Sequence, residues 1–76
     1  MKEFAITFGE KYLTENHPLW APAHPEGYLV VEAPSWDHAR LIALERLGRE
    51  WSFIYPMTEF REKYMFSRGE LDRWKF

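Results

Sequence analysis

The chain has 76 residues, no cysteine and a formal net charge of −2. This length fits one domain, residues 1–76, and the absence of cysteine excludes disulfides and thiolate metal sites. The small net charge excludes the general attraction to nucleic acid that a strongly basic protein has. No apolar run is long enough for a signal peptide or a membrane span, so we expect a cytoplasmic protein without membrane contact.

Two strands are predicted, one on each side of a proline-rich segment. Residues Glu3–Phe8 alternate, with the large apolar side chains on one face, which is typical of a half-buried strand. The prolines of segment 12–27 rule out a regular helix there, and the word "HPEG" at its end has the composition of a turn. Residues Tyr28–Ala33 are rich in aromatic and β-branched side chains and predict the second strand.

A helix is predicted over about Trp36–Leu47. Ser35 is a suitable N-cap, and Gly48 stands where a left-handed C-terminal residue is expected. At about 100° per residue, the predicted apolar face consists of Trp36, Ala39, Ala43 and Leu47.

The C-terminal third predicts one more strand and an aromatic tail. Residues Glu50–Tyr55 alternate, with Trp51, Phe53 and Tyr55 on one face and Ser52 and Ile54 on the other, and Pro56 is expected to end this strand. Residues Thr58–Met65 fit a short helix, and Gly69 interrupts the rest of the tail.

The predicted fold is therefore α+β, of order β-β-α-β. It consists of a three-stranded mixed sheet with one helix packed on one face, a proline-rich loop and an aromatic C-terminal tail. The second and third strands should be parallel, because a strand–helix–strand unit crosses over. The first strand lies either between them, antiparallel to both, or at an edge. The open face of the sheet needs a cover, which is the loop, the tail or another subunit.

Several short words resemble a group of small bacteriophage proteins. They are "TFGEKY", two "HP" pairs with "HPEGY", then "HAR", "WSFIY" and "RGEL", and they extend from about residue 6 to residue 71. The chain thus resembles small uncharacterised accessory proteins encoded by bacteriophages of actinobacteria. The resemblance carries no catalytic residues. It implies a protein made in an infected bacterium that binds host or phage macromolecules.

The loop "HPLWAPAHPEGY" contains the first candidate binding residues, His17, Trp20 and His24. Zinc requires three or four ligands, and the spacing of these histidines matches no zinc pattern, so we predict no metal and no cofactor. We expect both histidines to form turns or hydrogen bonds. Trp20 either anchors the loop as a lid over the sheet or is exposed for docking.

Arg40 is a further candidate, because it lies near the predicted apolar face of the helix. One interpretation packs its aliphatic part on an aromatic ring and pairs its guanidinium with Glu32, Glu50 or a backbone carbonyl. The other interpretation makes it a contact for an anion or a partner.

Basic and aromatic residues are interleaved near the C-terminus, with Arg68, Arg73 and Trp74 as candidate binding residues. This mixture suits single-stranded nucleic acid, whose bases stack while its phosphates pair. It also suits protein interfaces, and it fits a tail that only closes the core.

No nucleophile–base spacing or glycine-rich phosphate loop is present, so the sequence favours a binding protein over an enzyme. The first hypothesis is a phage-type accessory protein that binds a host protein or a second copy of itself, without a small-molecule substrate. The alternative is a small nucleic-acid-binding protein that uses the basic aromatic tail.

Overall fold

The computed structural model describes residues 1–75, and all of their side chains apart from those at 62 and 63. The regular elements are four strands and one α-helix: β1 Lys2–Thr7, β2 Gly27–Ala33, α1 Trp36–Leu47, β3 Ile54–Pro56 and β4 Gly69–Lys75. Three 3₁₀ segments connect them, at Glu10–Leu13, Met57–Glu59 and Arg61–Met65. The α+β class is confirmed.

The four strands form one mixed sheet in the order β3-β1-β2-β4. β1 lies between β2 and β3 and is antiparallel to both, so that Ala5 is opposite Val30 on one side and Tyr55 on the other. β2 and β3 therefore run parallel to each other, as predicted. This arrangement is one of the two that the sequence left open.

The prediction of three strands and an aromatic tail is wrong, because the tail forms β4. This strand pairs parallel to β2 along its whole length. Gly69 does not interrupt the tail but begins the strand, and its φ of +62° turns the chain into it. The sequence hides this strand because most of its residues are charged. Phe76, the last aromatic residue of the predicted tail, lies outside the described residues.

The third strand is shorter than predicted and includes the proline that was expected to end it. Thr7 forms two backbone hydrogen bonds with residues before β3: its N–H donates to the Phe53 carbonyl at 3.0 Å and its carbonyl accepts from Ser52 N–H at 2.8 Å. Two successive residues thus face one, which is the arrangement of a β-bulge. Pro56 is tolerated because β3 is an edge strand. The short helix predicted after it is replaced by two 3₁₀ segments.

The helix begins and ends at the predicted residues. The Ser35 hydroxyl accepts a hydrogen bond from His38 N–H at 3.2 Å, and Gly48 has a φ of +65°. The buried residues are Ala39, Ile42, Ala43 and Leu47. Trp36 was expected on this face but remains 42% exposed, and Ile42 takes its place in the core.

Each face of the sheet has its own cluster of buried side chains. The larger cluster lies between the sheet and α1 and includes Phe4, Ile6, Leu29, Val31 and Leu47. The smaller cluster lies on the opposite face, where Ala5, Tyr28 and Val30 are covered by Phe60, with Tyr55, Met57 and Phe66 around it. The residues after β3 therefore provide the cover that the open face requires.

Gly27 is needed where β2 and β4 begin, because Leu71 fills the space above it. A Cβ at residue 27 would lie 2.5 Å from the Leu71 side chain. Leu71 is the extra residue at the register shift between Tyr28 and Leu29, and it packs against the helix-side cluster.

We expect Gly27→Ala to lower the free energy of unfolding by about 1–3 kcal/mol, the usual cost of overpacking. Leu71→Ala should remove the clash. The double variant should therefore be less destabilised than the sum of the two single variants, as measured by urea unfolding. Strict additivity would contradict the contact.

Candidate functional site

The imidazole of His17 organises the first half of the proline-rich loop. The residue is 4% exposed, and its Nδ1 accepts hydrogen bonds from Leu19 N–H and Trp20 N–H, both at 3.0 Å. Its Nε2 donates to the Glu50 carbonyl at 2.8 Å. Only the tautomer with hydrogen on Nε2 makes all three bonds. Pro18 has a fixed φ and no N–H. The first backbone donors that follow it, the N–H groups of Leu19 and Trp20, therefore bind the ring.

His24 forms a similar turn at the end of the loop. Its Nδ1 accepts from Glu26 N–H at 3.0 Å, and its carbonyl accepts from Gly27 N–H at 3.2 Å. The predicted turn at "HPEG" is thus confirmed. In both His-Pro pairs the imidazole accepts a hydrogen bond from a backbone N–H a few residues later, as an aspartate or asparagine side chain does in many turns. The expectation that both histidines form turns or hydrogen bonds is confirmed.

Trp20 packs against the core as a lid. Its ring is half-buried, with its centroid 5.6 Å from that of Phe8 and 5.5 Å from that of Trp74. Beside it, Leu19 reaches the end of α1, where its Cδ1 would lie 3.2 Å from a Cβ at residue 48. Of the two interpretations of Trp20, this geometry is that of the packed anchor. The ring lies against the helix-side cluster, however, so the prediction that it covers the open face of the sheet is wrong.

A small polar cluster fixes the loop to the segment after the helix. Tyr12 donates from its hydroxyl to Glu50 Oε2 at 2.5 Å, and Lys11 Nζ lies 2.7 Å from the same oxygen. The hydrogen bonds from Lys11 and then Tyr12 lower the pKa of the Glu50 carboxyl. Burial, followed by the bond to Glu50, raises the pKa of the Tyr12 hydroxyl. The Glu50 backbone carbonyl also binds His17. Glu50 therefore holds both the 3₁₀ segment that contains Lys11 and Tyr12 and the proline-rich loop.

Arg73 and Trp74 lie in β4 rather than in a free tail. The Arg73 guanidinium contacts the carboxylates of Glu70 at 2.8 Å, Glu3 at 2.5 Å and Glu32 at 3.7 Å. Hydrogen bonds to Glu70 and then Glu3 raise its pKa. Trp74 is half-buried against Trp20. Neither side chain is arranged as a phosphate contact or a stacking platform.

Arg68 and Arg40 are both exposed. Arg68 donates its backbone N–H to the Glu26 carbonyl at 2.8 Å. The predicted pairing of Arg40 with Glu32 or Glu50 is wrong. Glu32 lies beside Arg73 and Lys75, and Glu50 binds Lys11.

The reason for the exposure of Arg40 is the orientation of the helix. Ile42 belongs to the buried face while Trp36 does not. At about 100° per residue, this rotates the centre of that face away from residue 40.

An open groove of about 620 Å³ lies beside the smaller core cluster. Its aromatic rings form a series, with centroids 5.9 Å apart for Phe53 and Tyr55, 5.3 Å for Tyr55 and Phe60, and 5.4 Å for Phe60 and Phe66. Phe53 at one end is 61% exposed, and Met65 on the groove wall is 69% exposed. We call this surface the aromatic groove. Its volume is typical of a binding pocket.

The polar groups of the aromatic groove are hydroxyls and carboxylates. Ser52 and Tyr55 contribute hydroxyls, while Glu10 and Glu26 stand at its rim. Among the described residues, those that line the groove include no lysine or arginine. The groove can therefore hold an apolar group beside a positive charge.

The sequence alone does not reveal this groove. The alternation correctly puts Phe53 beside Tyr55. The rest of the predicted pattern is wrong, because the bulge before β3 brings Ser52 into the groove and leaves Trp51 against the helix-side cluster. Phe60 and Phe66 come from the segments after β3, and their position depends on the tertiary fold. The groove is separate from Arg40, Arg73 and Trp74, so the structure does not bring the predicted binding residues together in one site.

Among the side chains that the structure describes, which exclude those at 62, 63 and 76, no three of His, Cys, Asp or Glu are grouped as metal ligands would be. In the same described part of the chain, no helix is long and apolar enough to cross a membrane. No protein-family model, curated protein or solved structure matches this chain. The site is therefore interpreted from its own geometry.

We expect Trp20→Ala to lower the free energy of unfolding by about 3 kcal/mol, because a half-buried ring in contact with two others is lost. Leu19→Ala is the matched control, since Leu19 is adjacent and 60% exposed. It should cost less than about 1 kcal/mol in the same urea titration. Equal effects of the two variants would contradict the lid.

We expect Glu50→Gln to destabilise the protein more at neutral pH than in acid. The folded-state pKa of Glu50 is below its ordinary value of 4.5, so its contribution is complete above pH 4.5 and disappears as the pH falls through the folded-state value. The stability difference between wild type and variant should therefore shrink below pH 4.5. Glu45→Gln, an exposed carboxylate 4.0 Å from Arg46, is the control, measured by thermal unfolding from neutral to acidic pH.

Proposed function

We propose that this protein is a non-enzymatic protein-binding module whose site is the aromatic groove. The observation that carries the proposal is the series of aromatic rings that ends in the exposed Phe53. Large exposed aromatic side chains that border a packed cluster are typical anchors of protein interfaces.

The partner that we propose is a short protein segment with apolar side chains and at least one basic residue. The apolar side chains would cover the rings, and the basic residue would meet Glu10 and Glu26 at the rim. The charge of the main body supports this choice, because residues 1–60 carry five Lys or Arg and nine Asp or Glu, a net charge of −4. Opposite charges across a rim favour the correct partner and speed its encounter.

The resemblance to small phage proteins supplies the biological setting of the proposal. In that setting the module acts in the cytoplasm of an infected bacterium, on a host protein, as an agent of host takeover or counter-defence. The nucleic-acid alternative has less support, because Arg73 is surrounded by three carboxylates and Trp74 is packed against Trp20.

Selection from a displayed library of random peptides tests the proposal. We expect the wild-type protein to enrich peptides that are apolar and basic, and Phe53→Ala to lose their binding by at least about tenfold, a change of roughly 1.4 kcal/mol. Leu41→Ala is the matched control, because Leu41 is 62% exposed, close to the 61% of Phe53, and lies on the helix outside the groove.

The Leu41→Ala protein should bind the enriched peptides as the wild type does. Failure to enrich any peptide, or enrichment that survives Phe53→Ala, would overturn the proposal. Binding of a labelled single-stranded oligonucleotide that competes with the peptides would favour the nucleic-acid alternative instead.

A further inference from the structure

The two edges of the sheet are both protected against an added strand. On β3 the Trp36 indole N–H donates to the Ile54 carbonyl at 3.2 Å, and Pro56 has no N–H to offer. On β4 the backbone N–H of Arg73 donates to the Asp72 carboxylate at 2.8 Å. A partner segment that binds by extending the sheet would have to break these bonds. The structure therefore opposes recognition by strand addition.

The aromatic groove offers hydrogen-bond donors that the protein itself does not use. The hydroxyls of Ser52 and Tyr55 make no hydrogen bond to any described residue, and both residues line the groove. A ligand whose backbone carbonyls are unpaired can accept from them. The carbonyls of a helix or a paired strand are already used, whereas those of a polyproline II segment are free.

The spacing of the rings also fits such a ligand. Tyr55 and Phe60 are stacked at an angle of 22°, and Phe53 and Phe66 continue the series on either side at tilts of 38° and 46°. Phe60 is 2% exposed, so the aromatic surface open to a ligand is formed by the exposed Phe53 and the partly exposed Tyr55 and Phe66. Aromatic-lined grooves of this kind accept proline rings, because a polyproline II helix is already ordered before it binds and loses little entropy.

We propose that the aromatic groove binds a proline-rich protein segment in the polyproline II conformation with a basic residue at one end. This inference rests on the proposed function and specifies its partner. The prolines lie on Phe53, Tyr55 and Phe66, the segment's carbonyls accept from Ser52 and Tyr55, and the basic residue meets Glu10 or Glu26.

Three synthetic peptides test this inference by fluorescence anisotropy. The first has about twelve residues, with proline at every third position to match the three residues per turn of the conformation, and arginine at one end. In the second peptide alanine replaces every proline, and in the third glutamate replaces the arginine. The full-length protein should bind the first peptide at least about tenfold more tightly than either of the others.

Three variants test whether these contacts hold the proline-rich peptide, and Leu41→Ala is again the control, which should bind the peptide as the wild type does. Phe53→Ala should abolish binding of the peptide. Tyr55→Phe keeps the ring but removes the donor, so it should weaken binding by about fivefold. Glu26→Gln should weaken binding of the arginine peptide by about threefold without affecting the peptide in which glutamate replaces the arginine.

The outcomes separate this inference from the proposed function. If the alanine peptide binds as well as the proline peptide, or if the peptides enriched from the random library contain no proline, the polyproline inference is overturned while the binding module survives. If the random library enriches no peptide and none of the three synthetic peptides binds at about 1 mM, a free energy near −4 kcal/mol, both are overturned.

Discussion

The fold depends on burying β2 on both of its faces. Leu29, Val30 and Val31 in the middle of this strand have no exposed surface, so side chains must cover the sheet above and below. A chain of 76 residues has few residues with which to cover both faces of a sheet. The helix covers one face, and the aromatic residues after β3 cover the other. The remaining features of the molecule depend on how completely each cover is built.

The proline-rich loop completes the helix-side cover without a regular element. Its prolines restrict the unfolded chain, which lowers the entropy lost when the loop becomes ordered. The two imidazoles then accept the backbone N–H groups that a helix or strand would otherwise satisfy. This arrangement places Trp20 between Phe8 and Trp74 and joins the loop to β4. The two histidines are thus parts of the loop's internal structure.

The cover of the opposite face is incomplete, and the aromatic groove is the part that stays open. Two 3₁₀ segments carry Phe60 and Phe66 over the sheet, but they leave Phe53 and Met65 exposed beside them. The sheet edges, by contrast, are protected, because the Trp36 indole and the Asp72 carboxylate form hydrogen bonds with backbone groups there. The protein therefore exposes aromatic side chains beside the groove while it protects the backbone at its sheet edges. This contrast is the physical basis for placing a binding site in the groove.

The candidate site could be predicted only in part. The hydrogen-bonding roles of His17 and His24 could be predicted, but the aromatic groove could not. Its rings come from Phe53 just before β3, from Tyr55 in β3 and from Phe60 and Phe66 farther along the chain. The exposure of Arg40 depends on which face of α1 meets the sheet. Distant parts of the chain meet only when both faces of β2 are covered, and no local pattern specifies that packing.

The sequence by itself determined the local elements. The bounds of α1, its Ser35 and Gly48 ends, the first two strands and the turn at "HPEG" all depend on short-range patterns, because capping, turn geometry and alternation involve neighbouring residues. Only the tertiary structure decided the role of the C-terminal residues. The stretch from Gly69 to Lys75 is mostly charged. It forms a strand because it pairs with the edge of β2 and because Arg73 contacts three carboxylates there.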